Sequence, residues 1–200
     1  MDTSEATDSV LVVRAQRGER AAFGELVTRY MRRAYHVALG LVGNHDDALD
    51  LSQEAFARAF RARARIDPER PFFPWLYHII RRLCFNHTRD QRSRRLTLEK
   101  AGGWLTDTTM GRRPLRPDRA VERAELREQV GEAIGRLAER EREMLVLREF
   151  EELGYREIAE LLGIPIGTVM SRLYQARRSL AREIETAGAR PRQEGGAADE

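Results

Sequence analysis

The sequence of 200 residues contains one cysteine, Cys84, and one lysine, Lys100. A single cysteine excludes an intramolecular disulfide, and helical spacing from Ile80 predicts that Cys84 is a small core residue. No apolar run reaches the roughly 18 residues that a membrane-spanning helix requires. The acidic, polar first residues have no signal-peptide pattern. We therefore expect a cytoplasmic protein.

The signatures of catalysis and metal binding are also missing. The four histidines, at positions 36, 45, 78 and 87, show no paired metal-ligand spacing. No glycine-rich phosphate loop occurs, and Cys84 has no activating neighbours. The sequence predicts that the protein is not an enzyme and uses neither a metal nor a cofactor.

Because lysine is nearly absent, arginine supplies almost all of the positive charge. The 35 basic and 32 acidic residues give a net charge of +3, which does not by itself indicate a polyanion partner. Arginine suits contacts to phosphates and base edges, since its planar group donates two hydrogen bonds at once. A GC-rich genome explains the same excess equally well.

Apolar residues recur at helical spacing through most of the chain, and strand patterns are nearly absent. A short helix is expected from about Ser9 to Gly18. The next carries an apolar stripe from Phe23 to Leu41 and ends at Gly43, after which Asn44 caps a third helix from about His45 to Arg65. Three prolines make residues 66–74 a loop, with Pro74 in the first turn of a fourth helix.

The helical pattern fails between about residues 95 and 117, where glycines and prolines indicate a flexible linker. The predicted fold is all-α, with two small helical domains on either side of that linker. We expect domains at residues 9–94 and 118–184, a linker at 95–117, and disordered tails at 1–8 and 185–200.

The stretch "YREIAELLGIPIGTVMSRLYQARRSL" predicts two helices joined by a short turn. Tyr155 to Leu162 forms the first, Gly163 and Pro165 end it, and the second begins at about Ile166. Its outer face carries Thr168, Ser171, Arg172, Gln175 and Arg177. This arrangement is typical of a helix-turn-helix that reads the major groove, although a helical hairpin with a solvated arginine face has the same spacing.

Two charged segments precede this motif. Asp47, Asp50 and Glu54 share one helix face, which could dock a basic partner or could merely stabilise the positive end of the helix dipole. The segment from Arg81 to Arg95 contains six arginines and a single aspartate, and aromatic residues are interleaved upstream of it. Such a basic, aromatic segment suits single-stranded nucleic acid, unless the aromatic side chains belong to the core.

Together, these motifs resemble the bacterial RNA polymerase sigma factors of the extracytoplasmic-function group, within the sigma-70 family. "AAFGELVTRY", "DDALDLSQEAFARAF" and "PFFPWLYHIIRRLCFN" resemble region 2 of that group. The stretch from "LAEREREMLVLREFEELG" through the helix-turn-helix resembles region 4. The resemblance implies a sigma factor that binds core polymerase and directs promoter-specific initiation from −10 and −35 elements.

The resemblance also implies roles for individual residues. The residues implied to bind core polymerase are Asp47, Asp50, Leu51, Gln53, Glu54 and Phe56. Those implied to recognise the −10 element are Asp67, Arg70, Phe72, Phe73, Arg82, Asn86 and Arg89. Those implied to recognise the −35 element are Thr168, Met170, Ser171, Arg172, Tyr174, Gln175 and Arg177. Relatives differ at the positions of Leu49, Arg82, Met170 and Gln175.

The partners implied are core RNA polymerase, through its largest-subunit clamp and its flap, promoter DNA, and an anti-sigma factor. A dimeric helix-turn-helix regulator is the alternative from another class. It accounts for the second half of the chain but leaves the first half without a role.

Overall fold

The computed structural model describes residues 6–100 and 130–188, and the regular elements in these two ranges are helices. The first range contains α1 (Asp8–Gln16), α2 (Arg20–Val42), α3 (His45–Arg61) and α4 (Phe72–Lys100). The second contains residues 130–136 of α5, then α6 (Glu139–Leu145), α7 (Tyr155–Leu162) and α8 (Ile166–Gly188). The predicted all-α fold is confirmed. The expected linker from residue 101 and both expected tails fall largely outside the described residues.

The junction between α2 and α3 forms as its residues predict. Gly43 takes the left-handed conformation at φ 74°, and its N–H donates to the Leu39 carbonyl at 2.8 Å. Asn44 then caps α3, because its Oδ1 accepts from the Asp47 N–H at 3.0 Å. α3 ends earlier than expected, at Arg61. A single 3₁₀ turn, Arg63–Arg65, follows because the Arg65 N–H bonds three residues back, to Ala62.

α4 is longer than the sequence predicted at both ends. It begins at Phe72 rather than beside Pro74, which lies in the first turn, where a missing N–H has no cost. It also continues through Lys100, where we expected the linker to begin at residue 95. Residues 95–100 lack an apolar stripe, but Arg, Leu, Glu and Lys are strong helix formers and extend the helix by local propensity.

The helix-turn-helix of the second half is confirmed. Gly163 adopts φ 63°, and its N–H donates to the Glu160 carbonyl at 3.3 Å, so α7 ends at Leu162. α8 begins three residues later, directly after Pro165. One feature was not expected: a π-helical turn, Val146–Phe150, extends α6, and the Glu151 N–H bonds back to the Val146 carbonyl at 3.0 Å.

Both halves contribute to one hydrophobic core. α2 packs against α1, α3 and α4, and its second half also contacts α6 and the π-helical turn. Val37 and Leu41 of α2 and Met144, Val146 and Leu147 of the second half are all buried in this core. None of the described helices combines the length and apolar character needed to cross a bilayer.

The turn glycine provides a test of the fold with a matched control. We expect Gly163→Ala to lower the free energy of unfolding by about 1 kcal/mol, because an alanine Cβ disfavours the left-handed conformation. Gly167, four residues later, has no positive φ, and a Cβ there meets no atom within 4 Å. Gly167→Ala should therefore leave stability unchanged or raise it by about 0.5 kcal/mol. Urea denaturation followed by circular dichroism measures both, and equal losses would refute the assignment of the turn.

Candidate nucleic-acid interface

The first turns of α8 present a polar face to solvent. Val169, Leu173 and Ala176 point inward and are buried. On the opposite side, Met170 is 54% exposed and Tyr174 is 63% exposed. The other residues predicted to read the −35 element are exposed or half-buried on the same turns: Thr168, Ser171, Arg172, Gln175 and Arg177. All seven predicted residues thus lie on one helix segment, in the position that a major-groove reader needs.

Among these residues, Arg177 already has an ion-pair partner. The Arg177 guanidinium donates to the Glu149 carboxylate at 2.8 Å, and both side chains are half exposed. This hydrogen bond raises the pKa of Arg177 above its usual range. A DNA phosphate would have to compete with Glu149 for Arg177.

The predicted acidic face of α3 is present, but its side chains differ in exposure and in whether they already have a partner. Asp50 and Gln53 are exposed and Leu51 is half-buried. Asp47 Oδ2 lies 3.2 Å from both His87 Nε2 and Gln91 Nε2 of α4. Glu54 pairs with Arg58 at 2.7 Å and Arg61 at 3.1 Å, and the Arg58 hydrogen bond lowers the pKa of its carboxyl. Asp50 is thus the best-placed free carboxylate among the described residues of this face.

Phe56 does not belong to this surface. Its side chain is only 4% exposed and lies in the core with Ala55 and Ala59. Its place in the helical period directs Phe56 inward, so a contact with core polymerase stays a prediction that its burial does not favour. It supports α3 from beneath the acidic face.

α4 exposes a row of basic side chains. Arg82 and Arg89 are exposed, and Asn86 between them is half-buried, with its Oδ1 3.4 Å from Arg89 Nη2. Asp67 and Arg70 lie exposed in the loop before α4 and form an ion pair at 3.3 Å. Five of the seven residues predicted for the −10 element are therefore accessible.

The two remaining residues, Phe72 and Phe73, are buried, at 0% and 4% exposure. Phe72 packs against Tyr30 with 5.5 Å between ring centroids, and Phe73 stacks on Tyr30 at 5.7 Å. Of the two alternatives that the sequence left open, base stacking or a place in the core, the core holds for these two side chains, because both start α4 and face α2. They position the basic helix instead of offering a free aromatic surface.

Sequence reasoning missed three charged residues at the contact between the two halves. Arg142 and Glu143 are buried at 6% and 2% exposure, and the Glu151 side chain is 5% exposed. For Arg142 and Glu143, only their position among the apolar residues from Leu137 to Leu147 could have signalled this. Beside them, a cleft of about 710 Å³ separates the start of α4 from α7.

Comparison with known proteins agrees with this layout. Residues 26–94 match the family model Sigma-70 region 2, and residues 127–180 match Sigma-70, region 4. The chain is 35% identical over 183 residues to the RNA polymerase sigma-H factor of Pseudomonas aeruginosa, covering 89% of this chain and 94% of the relative. It is 31% identical over 192 residues to the ECF RNA polymerase sigma-E factor of Escherichia coli K12, covering 92% and 97%.

Among solved structures, the chain is similar to CnrH, which was determined in complex with the cytosolic domain of CnrY. The TM-score is 0.64 at 26% identity, over 90% of this chain and 97% of that one. The similarity therefore extends across both halves of the molecule.

Proposed function

This chain belongs to the sigma-70 family of RNA polymerase sigma factors, in the extracytoplasmic-function (ECF) group. We therefore propose that three of its surfaces each bind a different partner during initiation. The protein is a sigma factor that directs promoter-specific transcription initiation, a role for an initiation factor rather than a catalyst. This proposal rests on one observation: α3, α4 and α8 each present a separate exposed polar face.

The acidic face of α3 is proposed to bind core RNA polymerase. Asp50 and Gln53 offer exposed polar groups, and Leu49, at 39% exposure, adds an apolar contact beside them. Small patches of this kind bind best where a charged group meets its opposite around an apolar centre. Asp47 and Glu54, which already have partners, would then hold the shape of the face.

The basic row on α4 is proposed to bind the −10 element. Arg82, Asn86 and Arg89 follow one another along the helix at spacings of four and three residues, so they share a face. Guanidinium groups spaced in this way suit the backbone of a strand that is being separated from its complement. Asp67 and Arg70 would contact the same strand from the preceding loop.

The outer face of α8 is proposed to read the −35 element in the major groove. Its exposed residues mix two apolar side chains, Met170 and Tyr174, with the amide of Gln175 and the guanidinium of Arg177. Apolar groups contact thymine methyls and amides pair with adenine edges. Met170 and Gln175 are therefore the residues that we expect to set the preferred sequence.

An Arg172→Ala variant tests the −35 assignment. We expect initiation in vitro with core polymerase to fall about tenfold at promoters that depend on the −35 element, since losing one arginine base contact costs about 1–3 kcal/mol. The control is Arg182→Ala, an exposed arginine farther along the same helix. Random changes at each −35 position in a promoter library would show where discrimination is lost. A uniform loss across all library sequences would contradict base reading by Arg172.

Binding to core polymerase separates this function from a dimeric helix-turn-helix regulator. A sigma factor co-purifies with core enzyme and supports promoter opening, whereas such a regulator does neither. If the purified protein neither binds core enzyme nor directs initiation, the proposed function is wrong.

We also propose that the protein acts in the cytoplasm, beside the polymerase, and that an anti-sigma factor binds it. The similarity to CnrH, which was solved with CnrY, supports this last partner.

A further inference from the structure

The end of α1 contacts the loop that precedes α4, and one side chain makes this contact. Gln16 is the last residue of α1, and its Nε2 donates to the Ile66 carbonyl at 2.7 Å and to the Arg63 carbonyl at 3.0 Å. Arg63 begins the 3₁₀ turn after α3, and Ile66 follows that turn. The two hydrogen bonds therefore join segments that lie 47 and 50 residues apart in the chain.

Arg63 makes the return contact to α1. Its Nε donates to the Ala15 carbonyl at 3.2 Å, and its Nη1 donates to the Phe60 carbonyl at 3.0 Å. Both carbonyls lie in the last turn of a helix, where acceptors lack a regular partner within the helix. The guanidinium also lies 4.4 Å from the centroid of the Phe60 ring, which packs edge-on against Phe23. The ends of α1 and α3 are thus fastened to each other in both directions.

The start of α1 is fixed as well. Asp8 accepts a hydrogen bond from Arg29 Nη1 at 2.5 Å and another from the Tyr30 hydroxyl, both on α2. The Tyr30 ring in turn packs on Phe72 and Phe73 at the start of α4. Because α1 is held at both ends, Gln16 gives the loop a fixed support.

The Ile66 carbonyl decides the direction in which the loop leaves the core. The Ile66 side chain is 3% exposed, and its backbone is extended at φ −73° and ψ 127°. Its carbonyl shares one rigid peptide plane with the N–H and Cα of Asp67, so a hydrogen bond to that oxygen fixes how Asp67 departs. Asp67 then builds a turn, since its Oδ1 accepts from the Glu69 N–H at 3.0 Å and its carbonyl from the Arg70 N–H at 3.2 Å. The orientation of this turn therefore depends on one carbonyl group.

We propose that Gln16 is a positioning residue for −10 recognition, which acts through the Ile66 and Arg63 carbonyls to orient Asp67 and Arg70 toward the strand. The inference rests on the proposed function of that loop. α1 precedes residues 26–94, which match region 2, so the contact gives a helix outside the matched range a part in promoter recognition. A residue that only stabilised the fold would affect every activity of the protein, whereas a positioning residue affects the step that the loop performs.

A double-mutant cycle tests whether Gln16 acts through the loop. Gln16→Met keeps an unbranched side chain with good helix propensity but donates no hydrogen bond. It is made in the wild type and in a chain that carries both Asp67→Ala and Arg70→Ala. Arg14→Gln is the control, because it breaks a solvent-accessible ion pair with Glu19 at the same end of α1. For each form, core affinity is measured together with initiation in vitro on a promoter library with random −10 positions.

We expect Gln16→Met to lower initiation at the preferred −10 sequences about tenfold, since a buried carbonyl that loses its donor shifts the loop by about that factor. Core affinity should stay within about twofold of the wild type, as should both measurements for Arg14→Gln. In the chain without the Asp67 and Arg70 side chains, Gln16→Met should add less than about a twofold loss, because residues that act together are not additive.

Amide hydrogen exchange in the free protein examines the loop without DNA or polymerase. The N–H groups of Ile66 and Arg70, which bond to the carbonyls of Arg63 and Asp67, should exchange faster in Gln16→Met but not in Arg14→Gln. Unchanged exchange would refute the support of the loop by Gln16.

The transcription measurements decide whether that support serves −10 recognition. Unchanged initiation, an equal fall in core affinity, or a full tenfold loss in the loop variant would each refute positioning. Faster exchange, in a protein that neither binds core polymerase nor initiates in any form, would refute the proposed function but confirm that Gln16 holds the loop.

Discussion

An Asp50→Arg variant is expected to lose initiation at every promoter, by about a hundredfold. The change reverses the charge of the exposed acidic group that we place against a basic surface of core polymerase. Like charges brought together at an interface cost several kcal/mol, and about 3 kcal/mol corresponds to a hundredfold loss of affinity. The loss should be uniform across a promoter library, because this contact reads no bases.

The structure explains why Asp50 should dominate its neighbours. Asp47 is held by His87 and Gln91, and Glu54 by Arg58 and Arg61, so both carboxylates would exchange one partner for another on binding. The Asp50 carboxylate forms no ion pair or side-chain hydrogen bond with any residue in the described part of the chain. Its free charge is therefore available to the polymerase.

Glu25→Arg is the matched control for this experiment. It makes the same charge change at an exposed position on α2, away from the acidic face of α3. Pull-down of core polymerase and transcription in vitro should both fail for Asp50→Arg and both succeed for Glu25→Arg. If Asp50→Arg retains core binding while transcription falls, the acidic face acts after binding and our assignment of it is wrong.

Sequence reasoning succeeded where local chemistry decides the outcome. The left-handed glycines at 43 and 163, the Asn44 cap and the exposed face of α8 all follow from rules that span a few residues. It failed where a distant segment decides. Phe72 and Phe73 follow a proline in a polar loop sequence, and only packing against Tyr30 of α2 shows that they are buried.

The buried charges illustrate the same limit more strongly. "LAEREREML" alternates charged residues so densely that its periodicity does not show which of them point inward. Arg140 and Arg142 look equivalent in the sequence, yet Arg140 is exposed and Arg142 is 6% exposed. The difference arises because Arg142 meets the end of α2, which lies about a hundred residues earlier in the chain.

Arg142→Ala is expected to lower the free energy of unfolding by about 3 kcal/mol. The guanidinium donates to the carbonyl of Leu41 at 2.6 Å, near the end of α2. It also donates to Ile134 at 3.1 Å, to Leu137 at 3.2 Å and to Gly135, around the end of α5. Carbonyls at helix ends have no partner within the helix, so one side chain satisfies two helix termini at once. Its positive charge also lies at the negative ends of both helix dipoles.

The cost of removing Arg142 comes mainly from the carbonyls that it leaves behind. Burial lowers the pKa of Arg142, and its described hydrogen-bond partners are all main-chain carbonyls. Alanine would remove the charge and leave buried carbonyl acceptors without a donor, where water reaches them poorly. Arg142→Lys should lose less stability, because an ammonium still donates to some of these carbonyls. Arg140→Ala, two residues away on the same helix, should change stability by less than about 0.5 kcal/mol.

Urea denaturation of the three variants, followed by circular dichroism, would rank them. We expect stability to fall in the order Arg140→Ala, Arg142→Lys, Arg142→Ala. If Arg142→Ala unfolds like Arg140→Ala, the guanidinium does not hold the two helix ends in solution. Because one of those ends belongs to α2, the same result would show that Arg142 does not stabilise the contact of α6 with α2.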